Sequence, residues 1–284
     1  MLRAKRVLSK DWDSSAGYIY ANGCSHTDGT LSALPNKYDA YPFVLGELLG
    51  LNTISSASSA SSNQRIYRST IDFFSDAEII PEIAVIQWTG IDRFETPNNL
   101  NTLPNHVHAS KQILTSIGID DNHEGWYQHL PSIIFDRNRA NINIPFRKFY
   151  REAIYPEHSK SDSTRSKLEA AIAAKILGLD SYLKRLGVRV IHLIWDGFNK
   201  NEINPTLQTM LDTVETLTDD PYEALVNIID SHGYQACRYH YMADAHHQIA
   251  TWLYAYIQYG IKIQISEGYS NKRDPIIHHY DLGN

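Results

Sequence analysis

This sequence has few cysteines and no long apolar run, and each shortage excludes a class of protein. Only Cys24 and Cys237 occur among its 284 residues, which gives neither a disulfide framework nor the spacing of a zinc site. No apolar stretch approaches the roughly 20 residues of a membrane span, and residues 1–13 lack the apolar segment of a signal peptide. We therefore expect a cytoplasmic or virion-associated protein with no membrane partner.

Positive charge is scarce as well. Lysine and arginine number 26 against 32 acidic residues, the net charge is −6, and the basic residues are scattered. A nucleic-acid binder needs a basic stripe, so we expect no nucleic-acid partner. Two histidine pairs, His106 with His108 and His278 with His279, are interpreted as surface residues without the cysteine or carboxylate partners of a metal site. We expect no metal ion and no cofactor.

What the sequence does contain is a regular alternation of apolar and amphipathic segments. Short, strongly apolar segments typical of buried strands occupy residues 18–21, 51–54, 81–88 and 188–195. Helical spacing of apolar residues marks residues 41–49, 66–74, 163–186 and 249–257. This alternation predicts an α/β fold, a three-layer α/β/α sandwich with a central parallel sheet.

The chain shows neither an internal repeat nor a convincing domain boundary, so we predict a single domain over residues 1–284. The periodic pattern fails at about residues 97–145, where asparagine, histidine, proline and isolated aromatics dominate. Irregular stretches of this length inside a domain are usually insertions or functional lids, so we predict an insertion there. The tail from about residue 266 also lacks a clear period.

The stretch from Asn22 to Thr27 is the first candidate for chemistry. An apolar strand ends at Asn22-Gly23, and a small polar cluster that contains Ser25 follows. Ligands of open α/β sheets bind at the carboxyl edge of the strands, so we predict that Ser25 is a nucleophile, with a helix N-cap as the alternative. Cys24 is the other candidate nucleophile. The residue before such a serine tends to point into the core, which favours a buried structural cysteine.

A pair of histidines late in the chain is the candidate source of a base. A serine nucleophile needs an imidazole to take its proton and a carboxylate to orient that imidazole. Asp244-Ala-His246-His247 offers both, after a strand or extended segment at 234–241 and before an amphipathic helix. We predict His246 as the base, His247 as the alternative base and Asp244 as the orienting acid. Asp196, at the end of a strand on the same edge, is the second candidate acid.

Two further loops follow strands at this edge. The run of small residues at 55–63 predicts a tight turn in which uncovered backbone amides approach a ligand. The segment after the next strand contains Trp88, Asp92 and Arg93, which we predict to bind substrate. A salt-bridged strand end is the alternative interpretation of the two charged residues.

Three blocks together resemble the SGNH (GDSL-type) hydrolase family. Gly23-Cys-Ser-His-Thr27 stands where that family has Gly-Asp-Ser after its first strand. Residues 54–66 resemble the family's N-x-G…G-x-S-N-x-x-I stretch, with Ala57 at the glycine, and Asp244 with His246 or His247 resembles its closing Asp/His block. Residues 86–95 resemble the third-strand segment of a divergent branch found in phage and bacterial proteins.

The resemblance implies an SGNH hydrolase or flavodoxin-like sandwich, with a nucleophile at Ser25 and an oxyanion site. The family's oxyanion donors would be the amides of Ser25 and Ala57 and an asparagine side chain. Two departures stand out: Cys24 replaces the family's aspartate, and Thr89-Gly-Ile-Asp92 replaces its Gly-x-Asn-Asp block. We therefore expect Asn63 or Thr89 to supply the third donor.

The activity implied by the resemblance is that of a serine esterase that removes a small acyl group such as acetyl. The substrate would be a small-molecule or carbohydrate ester, and a content of 5 tryptophans and 18 tyrosines is compatible with a carbohydrate-facing surface. The alternative is a non-catalytic SGNH-like structural or glycan-binding component of a virion or cell surface. A phosphate binder is disfavoured, because the loops lack a P-loop lysine or a Gly-x-Gly-x-x-Gly run. An oligomer is left open.

Overall fold

A computed structural model describes residues 6–29, 34, 36–59, 61–90, 93–97, 119–121, 126–129, 162–195, 204–234, 236–237 and 240–264. Its strands are β1 (Val7–Leu8), β2 (Tyr18–Asn22), β3 (Asn52–Ser55), β4 (Ile83–Trp88), β5 (Phe94–Pro97), β6 (Ile119–Asp121), β7 (Trp126–His129), β8 (Arg189–Ile194), β9 (Ala236–Cys237) and β10 (His240–Tyr241). Its helices are α1 (Ser25–Asp28), α2 (Tyr41–Leu49), α3 (Asn63–Asp76), α4 (Asp162–Arg185), α5 (Pro205–Leu211), α6 (Leu225–Ser231) and α7 (Ala243–Tyr259), with a 3-10 helix at Lys37–Asp39.

The central sheet has five strands in the order β1-β3-β2-β4-β8. Strands β3, β2, β4 and β8 run parallel, and β1 pairs antiparallel with β3 at the edge. The register places Ala21 beside Ser55 on one side and Val85 on the other, so the carboxyl ends of β2, β3 and β4 lie at one edge. The predicted α/β fold class with a central parallel sheet is confirmed.

Helices cover both faces of this sheet because successive side chains of a strand point to opposite faces. Tyr20 and Ile86 pack in one core cluster with residues of α3 and α4. Ile19 and Val85 pack in a second cluster with residues of α2, α6 and α7. Strands β2, β4 and β8 thus contribute to both clusters, which gives the three predicted layers.

The helices end where the sequence signals predict. Pro42 lies in the first turn of α2, where its missing N–H costs nothing, and α2 ends at Gly50 in the left-handed region with φ 66°. Among the helices in the described ranges, none combines the length and the apolar composition needed to cross a membrane.

Two strands lie in the stretch that we predict to be an irregular insertion. Strand β7 pairs antiparallel with β5 and with β6, which makes a separate three-stranded sheet in the order β5-β7-β6. Strands of three or four residues are too short for an alternating pattern to stand out against irregular flanks. The rest of residues 97–145 and the tail from 266 lie outside the described residues, and the single-domain organisation stays a prediction.

Candidate active site

A buried asparagine fixes the end of β2. The two hydrogens of Asn22 Nδ2 are shared among three acceptors on α3, namely the carbonyl of Ile66 (3.1 Å) and the hydroxyls of Ser69 (2.8 Å) and Thr70 (2.9 Å). Oδ1 of Asn22 accepts a hydrogen bond from the amide of Gly23 at 2.9 Å. Because Asn22 is fully buried, these bonds hold the start of the following turn to α3.

Gln87, on β4, holds the same turn from the other side. Its Oε1 accepts hydrogen bonds from the amide and the thiol of Cys24 (3.2 and 3.3 Å) and from the hydroxyl of Thr27 (2.8 Å). Its Nε2 donates to the carbonyl of Trp88 at 2.8 Å, which determines the end of the amide that faces the turn. Cys24 is fully buried with its thiol toward Gln87, the arrangement of a structural cysteine.

The loop of small residues after β3 lies against this turn. The amide of Ser58 donates to the carbonyl of Gly23 at 3.2 Å. Asp28, the last residue of α1, accepts hydrogen bonds from the amide and the hydroxyl of Ser59, both at 3.2 Å. Ala57 precedes Ser58 and is buried in this loop. Small side chains allow the two backbone segments to approach each other closely.

Ser25 is the first residue of α1 and is 3% exposed. Its Oγ lies 2.9 Å from Nε2 of His240, the first residue of β10, although the two residues are 215 positions apart in the chain. Nε2 accepts the serine proton in the tautomer that holds its own proton on Nδ1. A hydroxyl and an imidazole at this distance have the geometry of a nucleophile and its general base.

The ring of His240 belongs to a column of stacked rings. His26, next to Ser25 on α1, lies with its ring centroid 4.9 Å from that of His240 and at an interplanar angle of 26°. On its other side His26 stacks on Trp195, with centroids 3.7 Å apart and an angle of 17°. Trp195 directly follows β8, so the column connects the carboxyl end of the central sheet with the candidate base.

Several basic side chains surround His26. Burial is the main cause that lowers the pKa of His26 well below its ordinary value, and the charges of His240, Arg93 and His246 lower it further. His26 is therefore neutral at neutral pH. Arg93 is one of these groups, and its substrate-binding role stays a prediction.

His246, which we predict to be the base, caps a helix in the structure. It is 1% exposed, and its Nδ1 accepts a hydrogen bond from the amide of Tyr41 at 3.2 Å. Tyr41 begins α2, and the N-cap residue Ala40 has no side-chain oxygen that could satisfy this amide. The imidazole of His246 therefore supplies from α7 the cap that α2 lacks.

The other residues of the predicted Asp/His block are on the surface. Asp244 and His247 are both exposed, and Oδ1 of Asp244 accepts a hydrogen bond from its neighbouring amide, that of residue 245, at 2.8 Å. Within the part of the chain that the structure describes, the histidine at hydrogen-bond distance from Ser25 is His240, whereas the predicted base His246 accepts a hydrogen bond from the amide of Tyr41. Among the described residues, no group of three or more histidine, cysteine and acidic side chains is placed to hold a metal ion.

Acid should weaken the folded state through His246. Burial is the main cause that lowers its pKa from 6.5 to about 4, with His240 and His247 lowering it further and Asp244 opposing them. The folded state thus disfavours the protonated form, whereas the unfolded chain takes up this proton near pH 6.5. The stabilisation is complete above pH 6.5 and is lost as the pH falls toward 4, by about 3 kcal/mol.

Urea unfolding of the wild type and of His246→Asn between pH 4 and 7 measures this loss. Asparagine keeps an acceptor near the position of Nδ1 and does not titrate, so the free energy of unfolding of the variant should fall less steeply with acid. His26, whose pKa is also lowered by burial, is present in both proteins and contributes the same pH dependence of the unfolding free energy to each. Equal slopes in the two proteins would contradict the assignment of this pH dependence to His246.

Asn63, which we predict to be an oxyanion donor, instead holds the loop after β4. Its Nδ2 donates to the carbonyls of Thr89 (2.9 Å) and Gly90 (3.3 Å), and its Oδ1 accepts from the amide of Thr89 at 2.9 Å. Both amide hydrogens of Asn63 are used by the backbone, so this side chain is not free to donate to an oxyanion. Thr89 Oγ1 is buried and has no hydrogen-bond partner within the described part of the chain.

Trp88, which we predict to bind substrate, lies in the core. It is 1% exposed, and its Nε1 donates a hydrogen bond to Nδ1 of His192 at 3.0 Å. Its ring packs in the cluster between the sheet and helices α3 and α4. A side chain in this position does not face a ligand. Asp92 and Asp196, the other predicted substrate-binding and acid candidates, lie outside the described residues.

His240 and His26 are the two candidates that sequence reasoning missed. His240 begins a two-residue strand that pairs antiparallel with β9, and elements this short have no period that a sequence pattern could show. The sequence contains 13 histidines, so the presence of any one of them is weak evidence for a catalytic role. One signal existed, because His240 lies next to the end of the predicted strand or extended segment at 234–241.

Comparison with known proteins assigns no family to the chain. No family model and no curated protein matches it. Among solved structures, the chain is similar to a protein from Desulfitobacterium hafniense DCB-2 described as lipolytic and of the G-D-S-L family, with 10% identity, a TM-score of 0.38, and coverage of 84% of this chain and 98% of that chain.

Two carbohydrate esterases are also similar to the chain. The first, whose active site is described as displaying divergent catalytic and non-catalytic binding functions, has 13% identity and a TM-score of 0.42 over 85% of this chain and 64% of that chain. The second, a family 2 enzyme plus carbohydrate-binding domain from Corynascus thermopiles (Myceliophthora fergusii), has 12% identity and a TM-score of 0.40 over 85% and 65%. This chain spans less than two thirds of either esterase. At such low identities and TM-scores, these likenesses assign no function to it.

Proposed function

We propose that this chain is a serine esterase of the SGNH type that removes a small acyl group, such as acetyl, from a carbohydrate or other small alcohol. The observation that carries the proposal is the 2.9 Å distance between Ser25 Oγ and His240 Nε2. A hydroxyl within reach of an imidazole at the carboxyl edge of a parallel sheet suits acyl transfer. The resemblance of the turn at Gly23-Cys-Ser-His-Thr27 to the family's Gly-Asp-Ser motif supports it independently.

In this proposal His240 moves a proton twice in each turnover. Ser25 Oγ attacks the ester carbonyl while its proton passes to Nε2 of His240, and the imidazolium then gives that proton to the leaving alcohol. A water molecule next attacks the acylated Ser25, again losing its proton to His240, which returns this proton to Oγ as the acid leaves. Bonds and protons balance over the two steps, and the net reaction is ester hydrolysis.

The oxyanion of each tetrahedral intermediate needs donors at the same edge of the sheet. We assign this role to the amide of Ser25 and to the hydroxyl of Thr89. The amide of Ala57, the donor that the family resemblance implies, donates a long hydrogen bond to Oγ of Ser55 (3.4 Å) and would have to exchange this acceptor for the oxyanion. The amide of Ser25 lies in the first turn of α1, where N–H groups have no intrahelical acceptor. Thr89 is 5% exposed, and a buried hydroxyl without a partner within the described ranges is a donor that an oxyanion can satisfy.

Burial around the serine favours a small acyl group. Ser25 is 3% exposed, and His26, Ala57 and Thr89, which flank it in this proposal, are all at most 7% exposed. A longer acyl chain would need an apolar channel to bury each added methylene, and without one it gains no binding energy. We therefore expect acetyl esters to react faster than longer esters.

Turnover of p-nitrophenyl acetate, butyrate and octanoate by the wild type and by Ser25→Ala tests this function. The wild type should prefer acetate over butyrate by about tenfold or more, and Ser25→Ala should not exceed the background rate. A fluorophosphonate should label Ser25, as located by mass spectrometry. The matched control is Ser75→Ala, which removes an exposed hydroxyl on α3 and should keep the wild-type rate.

Equal turnover by the wild type and Ser25→Ala, together with no label at Ser25, would contradict the esterase proposal. That result would favour the non-catalytic alternative, a structural or glycan-binding protein with an SGNH-like fold. Turnover of octanoate as fast as that of acetate would support the esterase activity but contradict the proposed preference for small acyl groups.

A further inference from the structure

The candidate base lies on an element that the central sheet does not hold. Within the described residues, β9 and β10 pair only with each other, and each has two residues. His240 is partly exposed at the start of β10. Side-chain contacts therefore contribute to the orientation of the His240 ring, because within the described residues no backbone ladder of the main sheet fixes its strand.

The ring of His26, which the proposed mechanism does not use, makes one such contact with the ring of His240. Trp195, at one end of the column, is fixed by its amide, which donates to the carbonyl of Trp88 at 3.1 Å, and by its carbonyl, which accepts from the amide of Val226 at 3.3 Å. His26 lies nearly parallel to Trp195 at 3.7 Å and faces His240 on its other side at 4.9 Å. The column therefore runs from a rigid strand end to the candidate base.

We infer that His26 is a positioning residue that holds the ring of His240 against Ser25 by stacking between His240 and Trp195. The inference rests on the proposed function, since it concerns the base of that reaction. His26 directly follows Ser25 on α1, so the same short helix sets the position of both the nucleophile and the surface on which the base lies.

The ring of His26 acts here through its faces. Its Nδ1 is buried and has no hydrogen-bond partner in the described part of the chain, so no bond from that nitrogen explains the residue. Its pKa is lowered by burial, which keeps the ring neutral beside a base that becomes positively charged during turnover. Besides His240, the charged or titratable groups that act on His26 are Arg93 and His246, and neither is part of the stack of His240, His26 and Trp195.

Two substitutions at this position separate stacking from other roles. His26→Phe keeps a flat ring between His240 and Trp195, and His26→Ala removes it. The rate of Ser25 labelling by a fluorophosphonate, measured from pH 5 to 9, should fall about 10–100-fold in His26→Ala because the base is no longer held in place. His26→Phe should stay within about threefold of the wild type, because an aromatic ring still stacks there.

The pH profile distinguishes positioning from a general loss of structure. In His26→Ala the face of His240 becomes hydrated, which favours its protonated form, so the midpoint of the labelling rate should move up by about half a unit to one unit. Partial unfolding alone would lower the labelled fraction without moving the midpoint. The matched control is His232→Ala, which removes a different histidine packed on a tryptophan, Trp252, and should change neither rate nor midpoint.

Wild-type rate and midpoint in His26→Ala would overturn the inference, and so would equal losses in His26→Phe and His26→Ala. If Ser25 is not labelled even in the wild type, the esterase proposal fails, and the His26 inference is then decided without activity. Proton–nitrogen NMR of the histidine rings gives the titration of His240 directly. A higher pKa for His240 in His26→Ala than in His26→Phe supports the stacking role, and identical titrations in all three proteins overturn it.

Discussion

Replacing His240 with alanine should lower kcat for p-nitrophenyl acetate by about 10²–10⁴-fold while the protein stays folded. The substitution removes the acceptor that lies 2.9 Å from Ser25 Oγ. His240 begins a two-residue strand and is partly exposed, so the loss of its ring removes little buried area. KM should change little, because proton transfer contributes in the transition state and not to substrate binding. Steady-state kinetics and thermal unfolding of the same preparation measure both effects.

His246→Asn and His247→Ala are the matched histidine controls. His246→Asn keeps an acceptor for the amide of Tyr41 and should retain kcat within about tenfold, since the cap of α2 persists. His247 is exposed on α7, so His247→Ala should be close to wild type, as surface substitutions usually are. Added imidazole should partly restore turnover to His240→Ala, because it can occupy the space of the lost ring and accept the serine proton.

A larger loss of kcat in His246→Asn than in His240→Ala would favour His246 as the base. If His246→Asn loses as much kcat as His240→Ala while remaining equally stable, the hydrogen bond to Tyr41 is not the main role of His246. If His240→Ala turns over at the wild-type rate, the 2.9 Å contact with Ser25 does not serve catalysis.

Gly23→Ala should abolish activity and destabilise the fold. An added Cβ at this position would lie 2.2 Å from Oγ1 of Thr27 and 2.8 Å from Oε1 of Gln87. Both atoms belong to the hydrogen-bond network that positions Cys24 and therefore the following Ser25. Neither oxygen can move away from the added methyl group without breaking a buried hydrogen bond. We therefore expect the unfolding free energy to fall by about 2–3 kcal/mol.

The same displacement should reduce kcat by about 100-fold or more, because a nucleophile moved by about 1 Å is no longer aligned with its base. The matched control is Gly178→Ala on α4, where an added Cβ meets only the hydroxyl of Tyr67 at 3.7 Å. There alanine should stabilise the helix by up to about 1 kcal/mol. Urea unfolding and p-nitrophenyl acetate turnover of both variants give the comparison, and wild-type behaviour of Gly23→Ala would show that the turn tolerates the methyl group.

The core of the fold could be predicted from sequence because its signals are local. Strands β2 and β4 are short runs in which every side chain is buried, β8 is buried except at its first residue, and the stripe along α4 has a helical period. Strands β5, β6 and β7 could not be predicted. Each has only three or four residues, and their pairing depends on partners far along the chain.

The candidate site also contains residues that could be predicted from sequence and residues that could not. Ser25 was predictable because a strand that ends at glycine and then turns places its next polar residue at the edge of the sheet. The roles of Asn63 and Trp88 were not predictable. Whether an amide or an indole faces a ligand or the protein depends on which acceptor lies opposite it, and those acceptors are Thr89 and His192.

The sequence by itself determined the alternation of the central parallel strands with their helices and the position of the serine after β2, since both follow from patterns within about ten residues. Only the tertiary structure decided which histidine meets that serine. The spacing of His246 from Asp244 favoured it as the base. In the structure, however, it accepts a hydrogen bond from the amide of Tyr41, which the N-cap residue of α2 cannot satisfy. His240 reaches Ser25 across 215 residues, through a hairpin and a stack of rings that exist only once the sheet has formed.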